Sequence, residues 1–151
     1  MSKIVILRLI IPAILFAIFY LFCGAMDALV RVYIFGMKET EQPWLSVWLA
    51  LDYWRLFAIP TTAGAAVAVY VLRRRDMLSK LALLVISMAA AAVLAVQITQ
   101  TTIPTLIADA LTRAIGGGLL GYSLSYALLG LICVCVTVLI TDRLSYIRVD
   151  N

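Results

Sequence analysis

Histidine is absent from the 151 residues. That removes bis-His haem ligation, the usual zinc sites, imidazole acid–base catalysis and histidine proton relays. A His-ligated quinone- or haem-binding anchor subunit is disfavoured on the same ground. Charge is scarce as well, with 13% of residues Asp, Glu, Lys or Arg against about 25% in a soluble domain. Cysteine is limited to Cys23, Cys133 and Cys135, all inside apolar runs. Cys133 and Cys135 are two apart, so on a helix they point about 200° away from each other. They form neither a CxxC redox pair nor a metal fork, and all three read as small, buried, unreactive thiols. No cofactor or metal is expected.

What the chain does have is hydrocarbon. Of its residues 65% are apolar, and the mean hydropathy is +1.09. A water-soluble globule is excluded, and so is disorder, which needs low hydrophobicity and high charge. The remaining class is an all-α integral membrane protein. A spanning helix takes about 20 residues, so four spans use about 80 of the chain. The remainder is too short for a separate soluble domain. We therefore expect one transmembrane domain over 1–151, a compact four-helix bundle with short interfacial helices in its two outer loops.

The first apolar run follows Lys3 and Arg8 and covers 9–30. It exceeds the 7–15 residues of a signal-peptide core, no small-x-small site follows it, and bulky Phe22 precedes Cys23. An uncleaved first helix is expected, with Pro12 near its first turns. The second run covers 55–72, with Pro60 near its start, and stops at Arg73, Arg74 and Arg75. The third covers 81–103 and ends before Pro104, and the fourth follows Gly116, Gly117 and Gly118 and covers 119–140.

With both termini cytoplasmic, that side holds Lys3, Arg8, Arg73, Arg74, Arg75, Lys80, Arg143 and Arg148. The opposite side holds Arg31, Lys38, Arg55 and Arg113, with Glu39, Glu41, Asp52 and Asp109 among them. The excess favours N-in, C-in topology in a bacterial-type inner membrane by the positive-inside rule. The net charge of +4 then reflects topology and contact with anionic lipid. Nucleic-acid binding is not expected, because no folded basic face has room to form.

Trp44, Trp48, Tyr53 and Trp54 gather near the end of the longest outer loop, 31–53. Trp44 and Trp48 are one turn apart, which suits a short interfacial helix acting either as an aromatic belt or as a docking surface. The loop 104–118 carries Leu106, Ile107, Leu111 and Ile115, which can face the membrane or the bundle, and Asp109 and Arg113, spaced for a local ion pair. The glycine triplet ends this second short helix.

Polar residues inside the runs need partners, because an unpaired amide in hydrocarbon costs on the order of several kcal/mol. Gln97, Gln100 and Thr101 share a face at the outer end of the third helix, beside Thr99 and Thr102. They either line a solute path or hydrogen-bond between helices. Asp27 with Arg31 one turn later is either a functional intramembrane carboxylate or a snorkelling ion pair. Small residues recur every fourth position at Ala58, Thr62 and Ala66, at Ser87, Ala91 and Ala95, and at Gly117, Gly121 and Ser125, with Gly130 beyond. Such rows let helix backbones approach closely. Tyr122 and Tyr126 are expected to pack.

No catalytic constellation emerges, and the chain is expected not to be an enzyme. Ser123 and Ser125 lack a base, the acids form no close pair, and the glycine triplet is followed by leucines without a lysine. Two function classes remain. One is a non-catalytic small subunit that stabilises or orients a larger membrane complex; the other is a transport element, a carrier's small subunit or a self-assembling holin-like pore. Partners are the lipid bilayer and another integral membrane protein or further copies of the chain. The stretch Arg31, Val32, Tyr33, Ile34, Phe35 and the later Pro43-Trp44 resemble the small membrane subunits of tripartite ATP-independent periplasmic transporters. That family places an Arg-Tyr-Val-Phe-like stretch at the end of its first helix and a Trp followed by paired acids at the start of its second. Here Leu45, Ser46 and Val47 stand where the acids would be. The resemblance, covering about 15 residues, implies a four-helix, N-in and C-in small subunit of a carrier.

Overall fold

Leu, Ile, Val and Ala fill the long runs, and in an apolar solvent a helix satisfies every backbone group within its own segment. The computed structural model describes residues 3–37, 40–72 and 80–147, and for 3–8, 50–55 and 144–147 the backbone alone. Lys38, Glu39, Arg73, Arg74, Arg75 and Arg148 therefore lie outside the described residues, as do the side chains of Lys3, Arg8, Asp52, Tyr53, Trp54 and Arg55. The described residues are helical without strands: α1 (Lys3–Leu29), a π turn (Val30–Ile34), α2 (Pro43–Leu72), α3 (Leu81–Thr99), α4 (Ile103–Ile115) and α5 (Gly118–Ile147). Three segments are long and apolar enough to cross a membrane, Leu9–Ile34, Leu81–Thr99 and Gly118–Arg143, and Leu56–Leu72 is a shorter apolar stretch.

Two expected boundaries move. The segment 31–53 was expected as a loop with its own short helix, yet from Pro43 onward it is the beginning of α2. Asp52 and Arg55 lower the hydropathy there without breaking the helix, because no Gly or Pro stands between Pro43 and Pro60. Pro43 occupies the first helical position, where its missing donor costs nothing, and Pro60 lies deep inside α2, not near its start. The third helix stops at Thr99, four residues before the expected 103. Thr99 and Thr101 turn their hydroxyls back onto carbonyls of α3, Thr99 to Ala95 at 3.0 Å and Thr101 to Ile98 at 2.7 Å. Pro104 then opens α4. The proline starts a helix; it does not end one.

α1 packs against α2 and α3, and α5 against the same two, so the four long helices close a ring in the order α1, α2, α5, α3. Phe16 and Tyr20 of α1 are fully buried at its centre with Met88, Ala92, Val134 and Val138. Alanine keeps this centre thin, and backbones meet directly at the α2–α5 contact. A Cβ added to Gly64 would land on the Ala127 carbonyl, and one added to Gly130 on the Thr61 carbonyl. The row on α2 is therefore Thr61, Gly64, Ala65 and Ala68, all buried. It corrects the expected row, in which Ala58 is buried but Thr62 and Ala66 are only half-buried. The row on α3 is as expected at Ser87, Ala91 and Ala95, all buried, while the expected row on α5 holds at Gly121, Ser125 and Gly130, all buried, but not at Gly117, which precedes α5 and is only half-buried. Tyr126 packs against Phe57 with ring centroids 4.4 Å apart, whereas Tyr122 is exposed.

Buried hydroxyls return to their own helix. Thr61 donates to Phe57 O at 2.6 Å, Ser87 to Leu83 O at 2.7 Å and Thr137 to Cys133 O at 2.8 Å, so these three donors are satisfied within the apolar core, whereas the buried hydroxyls of Thr62 and Thr112 find no partner among the described residues. Ser87 also meets Thr141 across the α3–α5 contact at 3.1 Å. α4 folds back along the first turns of α5: Ser125 donates to Pro104 O at 2.7 Å, and Gly121 lies directly beneath Thr112 and Ala108. Cys133 is buried, Cys23 and Cys135 are half-buried, and all three are free.

Candidate functional site

An ion pair lies where α1 gives way to the π turn. Asp27 is on the last turns of α1 and Arg31 four residues later, on the same face by the i, i+4 rule. The wider turn shows in its backbone, since Phe35 N–H donates to Val30 O at 3.2 Å. Gly36 follows with φ at 66°, a left-handed conformation that glycine adopts without penalty. The reversal lets Met37 N–H reach Arg31 O at 2.9 Å. The backbone of Arg31 is thereby fixed, and its side chain points back along α1.

Arg31 Nε meets Asp27 Oδ2 at 2.8 Å. Gln100, the residue just past α3, closes a three-membered ring: its Nε2 donates to the same Asp27 oxygen at 2.7 Å, and its Oε1 accepts from Arg31 Nη2. Each group thus uses its proper polarity, with the amide nitrogen on the carboxylate and the amide oxygen on the guanidinium. Arg31 is 44% exposed and Asp27 21%, so the clasp is half-sheltered and joins α1 to α3 at their C-terminal ends. It can neutralise charge and hold two helices.

The remaining expected residues separate. Gln97, one turn before Gln100, is exposed and makes no hydrogen bond among the described residues. Thr101 serves the α3–α4 junction, donating to Ile98 O and accepting from Ile103 N–H at 3.3 Å. The shared face of Gln97, Gln100 and Thr101 is therefore divided among an outward surface, a clasp and a helix cap. Asp109 and Arg113 are both exposed on α4, but no ion pair joins them among the described residues. Trp44 and Trp48 are 57% and 65% exposed on the first two turns of α2. Ser46, in place of the paired acids of the resembled family, is buried and ties in the preceding segment, its Oγ accepting from Thr40 N–H at 3.1 Å.

Tyr20 was not singled out by its sequence context, yet it is fully buried and its hydroxyl interacts with Thr61 of α2 and Thr99 of α3. It links three helices at one level. A single tyrosine in an apolar run carries no signal of this role. The chain matches no family model, no curated protein and no solved structure.

Proposed function

We propose that this chain is a non-catalytic small subunit of a larger membrane complex, crossing a bacterial-type inner membrane four times with both termini cytoplasmic. The observation that carries the reading is the apolar outer end. Immediately past the clasp, Tyr33, Ile34, Phe35 and Met37 are 62–72% exposed, and Trp44 and Trp48 are exposed on the first turns of α2. Side chains of this size gathered beyond a polar clasp suit a protein surface that covers them. The clasp supports the same role, since it spends Asp27, Arg31 and Gln100 on holding helices together. A transport element would have to conduct past Gln97 alone, on an outward face, and thus between copies of the chain.

Gentle-detergent extraction from native membranes, followed by native-mass measurement, tests the reading. A stoichiometric larger chain bound to the 16.6 kDa protein supports it. A species composed only of copies of this chain overturns it in favour of a self-assembling transport element.

A further inference from the structure

We propose that the break between α3 and α4 lies inside the hydrocarbon and lines a water-filled cleft, which hydrates the Asp27–Arg31–Gln100 clasp. The depth follows from contacts with α5. Ser87 meets Thr141, and Ser125 donates to Pro104 O. Between those two contacts the chain advances 17 residues from Ser87 while α5 spans 16, so the segments run antiparallel at nearly equal pace. α4 continues the same way, with Ala108 and Thr112 over Gly121. α3 and α4 are thus two halves of one element laid along α5. At that pace Gln100 falls level with Leu128 and Leu129, and Thr99 with Leu129 and Gly130. A second route agrees: the Tyr20 hydroxyl joins Thr99 to Thr61, and Thr61 lies against Gly130. The apolar stretch Gly118–Arg143 has 26 residues, about 39 Å of helix against roughly 30 Å of hydrocarbon. Gln100 stands about 15 Å from the Gly118 end. Even with the whole excess of about 9 Å placed at that end, the break is about 6 Å inside the hydrocarbon.

Irregular backbone at such depth persists only where protein buries it or water reaches it. Here protein does not bury it, since Gln100, Thr101 and Thr102 are all exposed. The donor that would reach the Gln100 carbonyl in a continuous helix belongs to Pro104, which has no N–H. Thr101 N–H turns back to Ile98 O, and Ile103 N–H to the Thr101 hydroxyl. The carbonyls of Thr99, Gln100 and Thr101 therefore receive no backbone donor among the described residues. Arg31 engages two of its five N–H donors, on Asp27 and Gln100. Lipid tails offer nothing to either set, whereas water donates to the carbonyls and accepts from the guanidinium. The π turn that ends α1 stops at Ile34, three residues past Arg31, while α5 continues about 15 Å beyond the clasp. The cleft opens over that end of α1. It requires only that α5 cross the membrane, and so stands apart from the subunit role.

Single cysteines in the full-length chain lacking Cys23, Cys133 and Cys135 test the cleft, in native membranes broken open so that both faces are reached. Thr102→Cys reports the break, where the threonine side chain makes no capping bond. Leu128→Cys reports the exposed surface of α5 at the same level. A charged, bilayer-impermeant thiosulfonate should modify Thr102→Cys at least about tenfold faster than Leu128→Cys, because a thiol in apolar surroundings stays protonated. Any smaller ratio overturns the proposal. Two slow sites mean that lipid or protein covers the break, and two fast sites mean that this level of α5 lies outside the hydrocarbon. The unsubstituted chain gives an independent reading. In water-edited solid-state NMR of the protein in phosphatidylcholine–phosphatidylglycerol bilayers, Thr101 and Thr102 should gain magnetisation from water ahead of Leu128 and Ile132. Equal or later build-up overturns the cleft. A larger chain in the native-mass experiment together with two slow sites overturns the cleft alone. Fast modification of Thr102→Cys with copies of this chain only overturns the subunit role alone.

Discussion

Arg31 serves three contacts: its Nε on Asp27, its Nη2 on Gln100, and its carbonyl on Met37 N–H. The first was legible, because a carboxylate and a guanidinium four apart on a helix meet by geometry. Gln100 was legible only as a polar residue in need of a partner. Nothing in a sequence separation of 73 residues names that partner, and Gln97, on the same nominal face, finds none. The two glutamines part because α3 ends at Thr99, which frees Gln100 to bend toward α1. Exposure of the clasp limits its worth, as screened ion pairs contribute about 0–1 kcal/mol. A double-mutant cycle of Asp27→Asn and Gln100→Leu should give a coupling energy of about 0.5–1 kcal/mol. The readout is reversible unfolding in mixed detergent–denaturant micelles, and additive losses would show the two residues to be independent.

The elements were read more securely than their ends. Long apolar runs announce helices, and α4 was visible as an amphipathic segment between Pro104 and the glycine triplet. The extent of α2 was hidden because its first turns carry Asp52, Arg55 and tryptophans, a composition shared by interfacial loops and by helix ends that rise out of a membrane. Gly64 was hidden for a different reason. A glycine in an alanine-rich stretch looks incidental until a carbonyl is found where its Cβ would be. Gly64→Ala and Gly130→Ala should each destabilise the protein by about 1–3 kcal/mol, because the collision is with backbone and no rotamer change relieves it. Gly118→Ala, where an added Cβ meets nothing within 4 Å, is the matched control in the same unfolding measurement. The α4–α5 hairpin invites a local test. Ser125→Ala removes the bond to Pro104 O at about 1 kcal/mol, so amide exchange across α4 should quicken several-fold while α3 stays protected. Equal acceleration in both helices would mean that α4 does not open on its own.

At the scale of the whole molecule the decisive element is α2. Its apolar stretch Leu56–Leu72 is 17 residues, about 25 Å of helix, slightly less than the roughly 30 Å of a hydrocarbon core. Its continuation to Pro43 adds the missing length on the N-terminal side, where tryptophans suit the headgroup region. If α2 crosses, the ends of the long helices alternate between two sides, and Met37, Lys80 and Asp109 fall outside, inside and outside. If α2 only rests in the surface, Met37 and Lys80 share a side and Asp109 takes the other. Single cysteines at these three exposed positions, in a background lacking Cys23, Cys133 and Cys135, distinguish the two arrangements. With a membrane-impermeant maleimide on intact cells, Met37→Cys and Asp109→Cys should react at once and Lys80→Cys only after permeabilisation. Equal reaction at Met37→Cys and Lys80→Cys would leave three spans, with Lys3, Arg8 and Arg113 on one side and every other basic residue on the opposite side, so the charge argument would then reverse the orientation. The ring packing of α1, α2, α5 and α3 favours the alternating result. Gly64 against Ala127 and Gly130 against Thr61 are two backbone contacts one turn apart, as helices packed side by side make.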